Sequence, residues 1–127
     1  MSLKFIEFNN IEKIGDELYK ELKNIIEGNI HIIFKFEENN NYYTLICTIN
    51  DIIIAASVIK NNNILEYICV EEPYRKKGIG KRMISILIKK YNFLYIRPAS
   101  YKSLSFFSNN FKISFNSENM YFIIESI

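Results

Sequence analysis

The stretch ILEYICVEEPYRKKGIGKRM, residues 64–83, decides how this chain is read. It opens as a β-rich apolar run over 64–70, passes a charged loop with Glu71, Glu72 and Pro73, and reaches Gly78 and Gly80 where a helical pattern begins. A strand running straight into a glycine turn and a helix leaves backbone N–H groups unpaired at the helix N-terminus, where the helix dipole adds partial positive charge. Glycines let an anion approach those amides with no Cβ in the way. Arg75, Lys76, Lys77, Lys81 and Arg82 surround the turn with cations. Residue types and spacing together point to a phosphate or pyrophosphate site. The plainer alternative is that the glycines only tighten a turn and the lysines form a solvated face.

Two familiar phosphate loops do not fit. In a Gly-x-x-x-x-Gly-Lys-Ser/Thr loop, Gly80 and Lys81 would be the end, but Arg75 stands where the first glycine belongs and Arg82 where the hydroxyl belongs. The dinucleotide fingerprint needs a third glycine and a later acidic partner for a ribose, and both are missing.

The rest of the chain frames that segment. At 127 residues it has the length of one domain, expected to span 1–127, and 49% hydrophobic residues can supply one core. The purest apolar run, 52–59, is far short of a membrane helix. The N-terminal residues Met1, Ser2, Leu3, Lys4 and Glu7 do not read as a secretory signal, so a soluble cytoplasmic protein is expected. The formal net charge is +2, yet seven of the 16 basic residues lie in 75–90, which has no acidic residue; the remainder sets nine basic residues against 14 acidic. One concentrated basic segment on a mildly acidic protein suits a local anion site better than a nucleic-acid face. Cys47 and Cys69, one in each of two expected strands, read as small buried residues. His31 is the only histidine, which rules out a His-rich zinc site, and no metal is expected.

Outward from the segment, periodicity predicts a strand over 4–8 and then a helix capped by Asn9 or Asn10, with Ile11, Ile14, Leu18, Leu22, Ile25 and Ile26 on its apolar face and Gly28 as its stop. Strands follow over 30–36, 42–49, 52–60 and 64–70, with turns at Asn39 to Asn41, Asn50-Asp51 and Asn61 to Asn63. After the glycine turn come a helix over about 80–90, a strand over 93–96 and a helix capped by Ser100 with Asn110 as a left-handed terminator. A hairpin of 112–115 and 120–125 ends the chain. The fold class is α+β: a mixed, mostly antiparallel sheet flanked by helices.

The run Arg75-Lys76-Lys77-Gly78-Ile79-Gly80 resembles the Arg/Gln-x-x-Gly-x-Gly/Ala signature of the GNAT N-acetyltransferase superfamily. The likeness extends upstream through Ile68, Cys69, Val70, Glu71, Glu72, Pro73 and Tyr74. Downstream it takes in the strand at 93–96, the short helix and Asn110-Phe111, so it is specific over about 52–115. The resemblance implies a site for acetyl-CoA, with the backbone of Ile68, Cys69 and Val70 along pantetheine and the loop of Arg75, Lys76, Lys77, Gly78, Ile79, Gly80 and Lys81 at the pyrophosphate. It implies direct acetyl transfer to an amine, with no covalent enzyme intermediate, which agrees with the lack of a His or Cys centre.

Glu66, four residues before Val70, stands where small-amine members are often acidic and is the candidate general base. The position that often carries an acid-supplying Tyr holds Phe106 here, so Tyr101 is the candidate acid, with Ser105 as a further hydroxyl. Ala99 stands where a cofactor-contacting Asn is common, and Asn110 replaces the usual Gly. Tyr19, Tyr42, Tyr43 and Tyr121 read as half-buried aromatics rather than acceptor ligands. Two other readings stay open: an acyl-CoA-binding module with weak or no catalysis, and a nucleic-acid binder using 75–90. A homodimer through a sheet edge or the C-terminal hairpin is a further expectation.

Overall fold

Runs of Ile and Val separated by Asn-rich turns build the first half of the molecule, and the computed structural model describes residues 2–9, 15–30 and 41–127. Strand β1 (Leu3–Phe8) pairs antiparallel with β2 (Tyr42–Ile49), β2 with β3 (Ile52–Lys60), and β3 with β4 (Ile64–Val70). The tight turns sit where asparagine and aspartate tolerate a left-handed backbone: Asn50 and Asp51 at φ 51° and 64°, Asn61 and Asn62 at φ 50° and 79°. The central strands β2 and β3 are buried on both faces, which is why their sequences are continuous apolar runs rather than alternations.

Each face of those strands meets a helix. Helix α1 (Asp16–Ile30) lays Leu22 and Ile26 on Tyr42, Ile46, Ile53, Ala56, Val58 and Cys69. Helix α2 (Ile79–Tyr91) covers the opposite face, packing Met83, Ile84, Leu87 and Ile88 against Tyr43, Leu45, Cys47, Ile54 and Ile59. A 3₁₀ turn, Glu72–Tyr74, connects β4 to the loop before α2. After α2 come β5 (Leu94–Ile96), α3 (Tyr101–Asn110), β6 (Lys112–Asn116) and β7 (Tyr121–Glu125). Among the described residues the sheet has seven strands in the order β1-β2-β3-β4-β5-β7-β6, so its edges are β1 and β6. This is the expected mixed, mostly antiparallel α+β sheet with helices on both faces. No helix among the described residues is long and apolar enough to cross a membrane.

One strand pair is unlike the others. The parallel neighbours β4 and β5 share a single register position, Ile64↔Tyr95, beside a hydrogen bond from Tyr95 N–H to Asn63 O of 2.8 Å. Past it, Leu65 to Val70 pair only with β3. Register on that side jumps from Ile59↔Leu65 to Val58↔Tyr67, leaving Glu66 as the extra residue of a β-bulge. The bulge reverses the alternation: Leu65, Ile68 and Val70 pack toward α2, whereas Tyr67 and Cys69 pack toward α1.

Three local expectations are corrected. Gly28 does not stop α1, which includes Ile30, so Ile30 belongs to a helix rather than opening a strand. Asn29 supports those two further residues by donating from Nδ2 to Ile25 O at 2.8 Å. Asn110 is not left-handed but helical; its Nδ2 donates to Phe106 O at 2.7 Å, and the chain leaves α3 through the extended Phe111. The expected helix start at Asn10 to Ile14, the strand residues 31–36 with His31, and the turn residues Asn39 and Asn40 lie outside the described residues.

Candidate functional site

The carboxyl end of β4 is tied down before the loop begins. Glu71 N–H donates to Ile54 O at 2.8 Å, and the 3₁₀ turn, with Pro73 in its middle, closes with Tyr74 N–H to Glu71 O at 2.9 Å and Arg75 N–H to Glu72 O at 3.2 Å. The backbone then turns twice through the left-handed region, at Lys76 (φ 62°) and Gly78 (φ 80°). Gly78 caps α2 without a side chain, and the first helical bond runs from Arg82 N–H to Gly78 O at 3.0 Å. The amides of Ile79, Gly80 and Lys81 precede that bond and have no acceptor within the helix. No acidic residue lies in this first turn to occupy them.

Gly80 marks the meeting of three elements. A Cβ there would stand 3.7 Å from Phe106 Cζ of α3 and 3.8 Å from Val70 Cγ2 of β4. Ile79 is buried and anchors the turn, while Lys76, Lys77 and Lys81 are exposed around it. Arg82 holds its guanidinium 4.7 Å over the Phe5 ring of the edge strand β1.

The expected cation Arg75 has a more specific place than its neighbours. Its Nε donates to Val70 O at 2.9 Å and its Nη2 to Asn29 Oδ1 at 2.7 Å. Asn29 also donates from Nδ2 to Glu71 Oε1 at 3.0 Å. Arg75 thus joins the end of β4 to the last turn of α1 through two bonds at the protein surface. Sequence reasoning missed Asn29 altogether; its only sequence signal is a polar residue just after Gly28, one of many asparagines in the chain.

The remaining candidates divide by face. Ile68 and Val70 pack toward α2 and the loop, whereas Cys69 points toward α1, its Sγ 3.9 Å from Ile25 O. Burial pushes the Cys69 thiol up to about 12 and also raises the buried, free Cys47, so neither thiol is a ready nucleophile. Glu66 is exposed at the bulge where β4 leaves β5. Tyr101 begins α3 and is 85% exposed. Phe106 of α3 lies beside Gly80, edge-on to Phe107 (5.2 Å between centroids) and Phe111 (6.3 Å). Of the four tyrosines read as half-buried, Tyr42 and Tyr43 are fully buried, Tyr19 and Tyr121 half-buried, and Tyr121 carries the Arg97 guanidinium 3.9 Å above its ring.

This arrangement offers amides and cations to an anion, and backbone groups to an extended chain beside it. Three amides and a ring of lysines suit the anion, and the unpaired edge of β4 offers backbone groups to an extended amide chain.

Comparison with known proteins agrees with that chemistry. Residues 12–100 match the family model described as the acetyltransferase (GNAT) domain. No curated protein matches the chain. Among solved structures, the Escherichia coli protein YhhK bound to coenzyme A shares 16% identity with a TM-score of 0.66, over 99% of this chain and 100% of that one. The ribosomal-protein-S18-alanine N-acetyltransferase of Escherichia coli shares 12% with a TM-score of 0.62, over 98% and 96%. An aminoglycoside acetyltransferase from an uncultured soil metagenomic sample shares 14% with a TM-score of 0.64, over 84% and 86%. At such identities the likeness is one of fold.

Proposed function

The chain belongs to the GNAT acetyltransferase family, and from that premise we propose that its 127 residues act as one domain transferring an acetyl group from acetyl-CoA directly to a primary amine. The observation that carries this reading is the parting of β4 from β5 next to the free amides of α2. Bound there, acetyl-CoA supplies an acetyl group activated as a thioester. The amides from Lys76 to Lys81 hold its pyrophosphate, Lys76, Lys77 and Lys81 add charge, and the backbone of Ile68, Cys69 and Val70 aligns the pantetheine arm and polarises the thioester carbonyl. Arg75 contributes by holding the loop. Glu66, placed at the bulge where the two strands separate, takes the proton from the acceptor ammonium through its carboxylate, directly or through water. The Tyr101 hydroxyl is the proton source for the departing thiolate.

One observation favours a second reading, an acyl-CoA-binding module with weak catalysis: Phe106 stands beside Gly80, wedged against two further phenylalanines, where a hydroxyl would help the leaving group. Calorimetric titration of acetyl-CoA at two salt concentrations, followed by a screen of small amines and peptide N-termini, separates the readings. The expected result is salt-sensitive binding together with turnover that drops about 10²-fold or more in Glu66→Gln while the KM for acetyl-CoA stays put. Binding without turnover on any amine supports the module, and no binding by folded protein overturns both.

A further inference from the structure

Asn29 lies 42 residues before Glu71 and 46 before Arg75, yet its carboxamide is bonded to both. Its Nδ2 donates to Ile25 O (2.8 Å) and Glu71 Oε1 (3.0 Å), and its Oδ1 accepts from Arg75 Nη2 (2.7 Å). Both N–H donors and one of the two oxygen lone pairs are thereby engaged, with the NH₂ toward a carboxylate and the oxygen toward a guanidinium. Reversing the amide would face like against like at both ends. Helix α1 has Asp16 and Glu17 in its first turn and no basic residue in its last, and Glu71 and Arg75 both reach that last turn through Asn29. From the same guanidinium, Nε reaches Val70 O, the last carbonyl of β4.

We propose that Asn29 is a positioning residue for the acetyl-CoA loop, holding Arg75 so that residues 76–81 present their amides in one arrangement before the ligand arrives. The inference rests on the acetyl-CoA reading above and extends it to a helix that contributes nothing to the signature. Without the carboxamide, Arg75 keeps a single anchor on Val70 O, and the two left-handed turns at Lys76 and Gly78 lose the brace at their base. A loop that must be ordered upon binding takes its ligand more weakly, because the ordering entropy is then charged against affinity.

The test uses the full chain and two readouts. Asn29→Ala is expected to weaken acetyl-CoA binding about tenfold by calorimetry. In the ligand-free protein it is expected to speed amide hydrogen exchange over 76–81, leaving exchange in β2 and β3 unchanged. Asn29→Asp keeps an acceptor for Arg75 but turns a carboxylate on Glu71, so it is expected to bind weakly as well. Pairing it with Glu71→Gln, which restores a donor opposite that carboxylate, is expected to recover most of the loss. The proposal is overturned by acetyl-CoA affinity within twofold of wild type in Asn29→Ala, by faster exchange spread evenly over the core strands, or by failure of the paired variant to rescue. Should the wild-type protein not bind acetyl-CoA at all, the function proposed above falls, and exchange over 76–81 alone decides the role of Asn29.

Discussion

At Gly78 the backbone stands at φ 80°, whereas Gly80 is helical and its missing Cβ would only touch Phe106 and Val70 at ordinary contact distance. The two glycines therefore answer differently to the same substitution. Gly78→Ala forces a side chain into the left-handed region, and we expect it to cost about 1 kcal/mol in stability and to weaken acetyl-CoA binding by moving the loop. Gly80→Ala is expected to melt no lower than wild type, since alanine gains up to about 1 kcal/mol in a helix, and to keep its affinity. Gly80→Glu, which adds a carboxylate at the amide cluster, is expected to abolish binding without unfolding the protein. Thermal melts alongside calorimetry check all three, and equal loss of affinity in both alanine variants would refute the distinction. At this scale the signature residues were readable because the glycine spacing and the cations are local in sequence. The direction of the Arg75 side chain was not, because its partner Asn29 arrives from a distant helix.

Elements were legible wherever local chemistry and packing agree. The bounds of β2, β3 and β4 follow from apolar runs interrupted by Asn-rich turns, and Ser100 caps α3 as its spacing suggests, accepting from Ser103 N–H at 3.1 Å. The disagreements have a common origin in side-chain bonds that prolong a helix. Asn29 bonds back to Ile25 O within α1 past Gly28, and Asn110 bonds back to Phe106 O instead of ending α3 in a left-handed turn. The β2–β3 hairpin offers a direct check of turn chemistry. Asp51 sits at φ 64°, a conformation that glycine adopts more easily, so Asp51→Gly is expected to stabilise the protein by up to about 1 kcal/mol. The measurement is a denaturant midpoint at unchanged slope; a lowered midpoint would contradict the turn assignment.

At the scale of the whole molecule, burial in the two-faced core sets an alkaline limit. It raises the Cys69 thiol from an ordinary 9.0 to about 12 and pushes Cys47, Tyr43 and Tyr91 the same way. Between those values the unfolded chain releases protons that the folded chain retains, so stability is held below about pH 9 and declines as pH rises toward 12. Melting temperatures from pH 7 to 11 are expected to fall above pH 9, less steeply in Cys69→Ala; a Cys69→Ala profile as steep as that of wild type would remove the thiol from this account. The same scale decides the site. Sequence alone determined the strand–glycine turn–helix unit, the concentration of charge on it and the signature through which the family is recognised, because these depend on residues within a few positions of one another. Only the tertiary structure decided that β4 and β5 meet at one position and then part, that a bulge places Glu66 at that parting, and that Arg75 is braced from α1. Those are consequences of strand register and of contacts between residues far apart in the chain, and neither hydrophobic periodicity nor motif spacing encodes where such residues meet.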